Sequence, residues 1–207
     1  MKSKHEVGNS RVYMMDCMEF MKDLPDGYFH LACVDPEYGI GISKNPFRQK
    51  HDKKDWDSKP PSKKYFDELF RVCKNQIIWG GNYFDLPPSQ GFLIWDKVQP
   101  HDFSSAMCEM AWMSYQKPAK IFRKHVVTAE KNKIHICQKP IKLYDWIFKN
   151  YLPDGGKVFD SHLGSGSSRI AADKAGNIDF TGTEIDEDYF KASVDRFNKY
   201  KSQLTLF

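Results

Sequence analysis

The chain has 207 residues, 41% of them hydrophobic, and a formal net charge of +4. That length buries one sizeable core, and nothing resembles a flexible linker, so a single domain over 1–207 is expected. The apolar runs fall far short of the roughly 20 residues of a membrane span, no basic-then-apolar leader opens the chain, and a cytoplasmic location follows. Five cysteines, Cys17, Cys33, Cys73, Cys108 and Cys137, never fall in a C-x-x-C spacing. They read as reduced thiols, with no metal assigned.

In chain order, His30 to Asp35 reads as a buried strand ending in polar residues. Ser62 to Cys73 reads as a helix, with Phe66, Leu69, Phe70 and Cys73 at helical spacing. Strands follow at Asn75 to Trp79, Gly91 to Asp96 and Ala111 to Tyr115, then a helix at Ile141 to Tyr151. Lys157 to Asp160 is a strand running into a glycine turn, followed by a helix at Ser167 to Ala175, a strand at Asp179 to Glu184 and a helix at Glu187 to Tyr200. Strands alternating with helices mean an α/β fold, with a mostly parallel sheet and helices on both faces.

The positive charge is clustered. Lys44, Arg48, Lys50, Lys53 and Lys54 crowd one segment, and Lys117, Lys120, Arg123, Lys124, Lys131 and Lys133 another. Solvated loops are the commoner meaning of such runs. Here they are interleaved with Phe47, Gln49, His51, Trp56, Tyr115, Phe122 and His125, which can stack on bases or bond their edges. Double-stranded DNA is the expected partner.

Two motifs sit where strands end. Val158-Phe159-Asp160 leads into Ser161-His162-Leu163-Gly164-Ser165-Gly166-Ser167-Ser168 at the start of a helix. Such a turn lets backbone and helix N–H groups approach a ligand at the carboxyl edge of an α/β sheet. A lone G-x-G is a weak signal, and Arg169 stands where a dinucleotide fingerprint has its third glycine, against a nicotinamide oxidoreductase. Glu184, ending the next strand, is placed to meet a ribose, although a surface acid fits there too. The second motif is Asp35-Pro36-Glu37-Tyr38, which alone reads as a turn.

Together the two motifs resemble those of the amino-methyltransferases, which carry a D-P-P-Y tetrad and use S-adenosylmethionine to methylate exocyclic amines of adenine or cytosine in DNA. The tetrad precedes the glycine turn, the permuted order of the beta class. Trp56-Asp57-Ser58, Trp79-Gly80-Gly81-Asn82-Tyr83-Phe84 and Gln138-Lys139-Pro140 look like further blocks of phage and prophage members, so the resemblance spans nearly the whole chain.

The resemblance implies a Rossmann-like S-adenosylmethionine-dependent methyltransferase fold. It also implies cofactor contacts from Asp16, Gln138, Lys139, Pro140, Phe159, Asp160, Ser161, Gly164, Ser165, Gly166, Ser167, Ser168 and Glu184. Catalysis falls to Asp35, Pro36 and Tyr38, and DNA binding to Lys44, Arg48, Lys50, Lys53, Lys54, Lys120, Arg123 and Lys124. A short target-recognition insertion is expected at about 97–133. Two departures stand out: His135-Ile136-Cys137 replaces His-Pro-Thr, and Glu37 replaces the second proline.

The chemistry explains these residue types. An aromatic exocyclic amine is a poor nucleophile, and acceptors at Asp35 and the Pro36 carbonyl would draw its lone pair toward the methyl group. The base must leave the duplex, and Tyr38 offers a ring to stack on. Asp at the first tetrad position favours N6 of adenine. N4 of cytosine, and a non-catalytic DNA-binding relic allowed by Glu37, are the alternatives. An active enzyme is expected, in which Glu37→Pro preserves or raises the rate. Finally, Gln203-Leu204-Thr205-Leu206-Phe207 resembles the peptide that docks bacterial proteins on the sliding clamp, with Gln203, Leu204, Leu206 and Phe207 as anchors, within a tail expected at 201–207. Folding of this segment onto the core as an edge strand is the competing expectation.

Overall fold

One short strand shows how the layers arise. In β3 (Leu31–Val34), Leu31 and Cys33 enter one apolar cluster while Ala32 and Val34 enter another, so both faces of the strand are buried. The computed structural model of the protein describes residues 3–41, 59–100, 106–125, 134 and 137–204. In chain order the elements before β3 are β1 (Lys4–Val7), β2 (Ser10–Met14) and α1 (Cys17–Met21). Those after it are α2 (Lys63–Val72), β4 (Gln76–Trp79), β5 (Phe92–Asp96), β6 (Cys108–Met113) and β7 (Lys120–Arg123). The chain then forms α3 (Ile141–Tyr151), β8 (Gly156–Asp160), α4 (Ser167–Ala175), β9 (Ile178–Glu184) and α5 (Glu187–Leu204).

The strands form one sheet in the order β1-β2-β9-β8-β3-β4-β6-β5-β7. Its centre, β2-β9-β8-β3-β4, is parallel throughout, and antiparallel pairings occur at β1/β2, β4/β6 and β6/β5. Helix α2 covers one face. It buries Tyr65, Phe66, Leu69 and Val72 along a single stripe, each worth roughly 1.5–3 kcal/mol. Across the sheet, α3 buries Leu143, Tyr144, Ile147, Phe148 and Tyr151, and α4 adds Ala171 and Ala172.

From β8 the chain goes to β9 on one side, while from β3 it goes to β4 on the other. The strand order thus reverses between the adjacent strands β8 and β3, which is where an open α/β sheet forms its ligand crevice. The tetrad and the glycine turn leave the sheet on the two sides of that point.

Two placements bear on the sequence expectations. Helix α5 continues through Leu204, so Gln203 is an exposed residue of its last turn rather than part of a free tail or an edge strand. Within 97–133, residues 108–113 and 120–123 are strands of the main sheet.

Candidate active site

A cavity of about 310 Å³ opens at the carboxyl ends of β2, β9, β8 and β3, within the size range of small-ligand sites. The glycine-turn bank is ordered by main-chain geometry. Gly166 adopts φ of +69°, which is cheap only for glycine, and α4 starts from it. Glu184 accepts the N–H of Gly164 through Oε2 at 2.8 Å and the N–H of Asp186 through Oε1 at 2.9 Å. Asp160 accepts the hydroxyl of Ser168 at 2.5 Å and the N–H of His162 at 3.2 Å. Burial pushes its carboxyl up to about 6, with those two donors acting in the opposite direction.

The tetrad bank is ordered by charge. One oxygen of Asp35 accepts the Tyr38 hydroxyl at 2.7 Å, and the other pairs with the ammonium of Lys139. The side chain of Lys139 is 1% exposed, and its ammonium also meets Glu109 at 3.1 Å and donates to the Tyr38 hydroxyl at 3.3 Å. Lys97 holds the other oxygen of Glu109 at 2.6 Å. Two carboxylates and two ammoniums therefore form a balanced chain from β3 to the β5–β6 hairpin. Burial raises the Asp35 carboxyl, opposed by Lys139. Burial also works to raise Glu109, but Lys139 and Lys97 overcome it and hold that group at about 2.

Tyr38 lies stacked on Tyr83, with ring centroids 5.0 Å apart, and passes directly over Gly80, where a Cβ would sit 2.2 Å from the ring. Glu37 turns into the cavity and meets Nε2 of His162 at 3.3 Å.

The residues named from sequence separate into two groups, apart from Pro36 and Tyr38, which are not in the cavity lining. Asp16, Asp35, Gln138, Lys139, Ser161, Gly164, Ser165, Ser167 and Glu184 line the cavity. Asp16 also caps α1, accepting the N–H of Met18 at 2.6 Å. Pro140, Phe159, Asp160, Gly166 and Ser168 stand behind the lining and build it. Pro140 precedes α3, and Phe159 is buried, stacked on Phe29 at 4.9 Å.

Lys120 and Arg123 are exposed on the edge strand β7, Arg123 pairing with Asp96 at 3.1 Å, and Lys124 follows them. Lys44, Arg48, Lys50, Lys53, Lys54, Leu206 and Phe207 lie outside the described residues. Sequence reasoning missed Tyr65, Glu109, Tyr144 and Tyr189 as members of the site. His162 fell inside the expected glycine-turn loop but was assigned no role of its own.

The arrangement offers acceptors facing a walled space: a carboxylate at Asp35 beside an oriented glycine turn and a carboxylate at Glu184. Of the cysteines in its lining, Cys17 is held as a thiol, because burial, with Asp16 and Glu37 nearby, pushes it up to about 12.

Known proteins share this fold. The M1.HpyAVI–SAM complex aligns over 89% of this chain and 98% of its own, at 17% identity and a TM-score of 0.60. TTHA0409, a putative DNA modification methylase from Thermus thermophilus complexed with S-adenosyl-L-methionine, aligns over 92% and 93%, at 17% identity and a TM-score of 0.57. PvuII DNA methyltransferase, cytosine-N4-specific, aligns over 92% and 87%, at 14% identity and a TM-score of 0.61. These likenesses establish the Rossmann-like methyltransferase fold. No curated sequence matches the chain. The DNA methylase family model N6_N4_Mtase matches residues 43–195, more than half of the sequence, and on that match the chain belongs to the N6/N4 DNA methylase family.

Proposed function

We propose that this protein methylates the N6 amine of adenine in a short sequence of duplex DNA by direct transfer to a flipped base. The observation that carries the reading is the meeting of the Asp35 carboxylate and the glycine turn on one cavity at the reversal of strand order. S-adenosylmethionine, the family's cofactor, would supply the methyl group from its sulfonium. The residues fit that molecule. A glycine turn leads into the N-terminus of α4, which suits its charged amino-acid end. Glu184 keeps lone pairs on both carboxylate oxygens beyond its two backbone donors, which suits ribose hydroxyls.

Asp35 and the Pro36 carbonyl then accept the two amine protons, so that charge developing on nitrogen meets fixed acceptors. Because burial raises its carboxyl, Asp35 is a stronger proton acceptor than an exposed aspartate. Tyr38 must yield its bond to Asp35 when the amine arrives, and its ring is then free to stack on the base. Lys120, Arg123 and Lys124 on and after β7, with the segment 42–58, supply positive charge for the phosphates. The parts of 97–133 outside β6 and β7 are the candidates for base recognition.

The test is transfer of labelled methyl from S-adenosylmethionine to duplex DNA, followed by nucleoside analysis. N6-methyl-2′-deoxyadenosine is expected, and Asp35→Ala should reduce transfer by roughly 10²–10³-fold while leaving cofactor binding largely intact. N4-methylcytosine would replace adenine with the cytosine reading, which the same acceptors serve. An unmethylated product with every DNA offered would leave a DNA-binding relic.

Clamp docking rests on the sequence of Gln203, Leu204, Leu206 and Phe207 alone. It would hold the enzyme near newly replicated DNA. Purified bacterial clamp should bind the full chain and not one ending at Ser202; equal binding to both, or binding to neither, removes this partner.

A further inference from the structure

Glu37 is the residue that separates this tetrad from D-P-P-Y. A proline there would fix φ of residue 37 and restrain the peptide joining residues 36 and 37, whose carbonyl is the second acceptor in the reading above. Glutamate leaves that torsion free, so a preorganised acceptor needs another restraint.

The structure contains one. The Glu37 carboxylate meets Nε2 of His162 at 3.3 Å, Nδ1 of His162 lies 2.8 Å from Ser161 Oγ, and Ser161 Oγ lies 2.7 Å from the Tyr65 hydroxyl. The Tyr65 ring stands edge-on to the imidazole at 5.3 Å, and the main-chain N–H of His162 is held by Asp160. Four side chains thus tie α2, the start of the glycine turn and the tetrad together. The tie does not need a charged imidazole. The Ser161 hydroxyl can either donate to Nδ1 or accept from it, so Nε2–H donates to Glu37 in both protonation states. Burial lowers the His162 imidazole, but Glu37, with Asp160 and Glu184 beyond it, more than offsets this. Burial likewise works to raise Glu37, and His162 more than offsets that.

We propose that Glu37 and His162 are a positioning pair that fixes the Pro36 carbonyl relative to the glycine turn, in place of the proline ring. This role rests on the acceptor assignment made under the proposed function. It makes Glu37 a working part of the site rather than the mark of a relic. It also reverses the expectation from sequence for Glu37→Pro, which would strand His162 in the cavity wall and lower the rate.

The experiment compares wild type with Glu37→Ala, His162→Ala, the double variant and Glu37→Gln, which keeps an acceptor for Nε2–H. Each alanine variant should lose roughly 10- to 100-fold in kcat with KM for S-adenosylmethionine nearly unchanged. The double variant should be no worse than the poorer single one, and Glu37→Gln should recover most of the loss. Independently of turnover, NMR titration of the His162 imidazole should move down toward its ordinary value in Glu37→Ala. Additive losses in the double variant, a loss confined to KM, or an imidazole titration indifferent to Glu37 would each overturn the pair. A wild type that transfers no methyl sinks the function and this role together; normal transfer with an indifferent imidazole sinks only the pair.

Discussion

The two banks of the cavity are built from different materials. On the glycine-turn bank, main-chain N–H groups of residues 162, 164 and 186 are held by Asp160 and Glu184, close by in sequence or on the neighbouring strand. On the tetrad bank, Asp35, Lys139, Glu109 and Lys97 come from distant stretches and meet only through charge. A backbone-built bank tolerates loss of a side chain as long as the turn closes. A charge-built bank does not, because removing one member leaves the others buried without compensation.

The largest expected effect therefore lies at Lys139. Lys139→Met leaves Asp35 and Glu109 facing each other without their shared ammonium and should cost about 3–5 kcal/mol, read as a lower urea midpoint. Ser165→Ala on the opposite bank removes one hydroxyl bonded to Ser167 at 3.1 Å and should cost about 1 kcal/mol. Equal costs for the two would break the comparison.

Titration sharpens it. Asp160 has a folded value raised from 3.8 to about 6, so its contribution is fully present below 3.8 and is lost as pH rises through 6. Glu109 has a folded value lowered from 4.5 to about 2, so its contribution is present above 4.5 and is lost as pH falls through 2. Each is worth on the order of 3 kcal/mol. In stability measured against pH, Asp160→Asn should flatten the gain on acidification between about 6 and 4. Glu109→Gln should flatten the loss below 4.5. A profile unchanged by either variant would show that the group does not feel the environment described for it.

The same contrast decides what was legible in the sequence. Helices α3 and α4 match their expected bounds because apolar periodicity and the Gly166 start are local signals. The hairpin β1–β2 and helix α1 were missed. Strand β1 is polar and only half-buried at an edge of the sheet, and α1 is one short turn and a half with a single buried residue, Met21. In the site, the glycine turn and Glu184 were readable from spacing. The partnership of Lys139 with Asp35 and Glu109 was not, since nothing local marks which carboxylates a buried ammonium will meet. Arg169 was noticed for the glycine it displaces. Its structural place is the interior, where it donates to Ser10 at 2.8 Å and stacks over Phe197 at 3.8 Å.

The smallest expected difference compares one glycine from each bank. Gly80 on the tetrad side has φ of +73° and Gly166 on the turn side has φ of +69°, so alanine at either position carries a backbone strain of about 1–2 kcal/mol. Their surroundings differ. A Cβ at 166 would meet only Ser193 at 3.4 Å, ordinary contact, whereas a Cβ at 80 would lie 2.2 Å from the Tyr38 ring. Tyr38 would have to leave its stack on Tyr83 and, with it, its bond to Asp35. Both variants carry the backbone strain, but Gly80→Ala should lose more stability in thermal unfolding because it also displaces Tyr38; both should keep cofactor affinity, because neither glycine lines the cavity. Only Gly80→Ala should also lose methyl transfer, roughly 10- to 100-fold for a displaced aromatic platform beside the reacting amine. If Gly166→Ala lost as much transfer as Gly80→Ala, the turn bank would be as dependent on side-chain placement as the tetrad bank, and the distinction between them would fail.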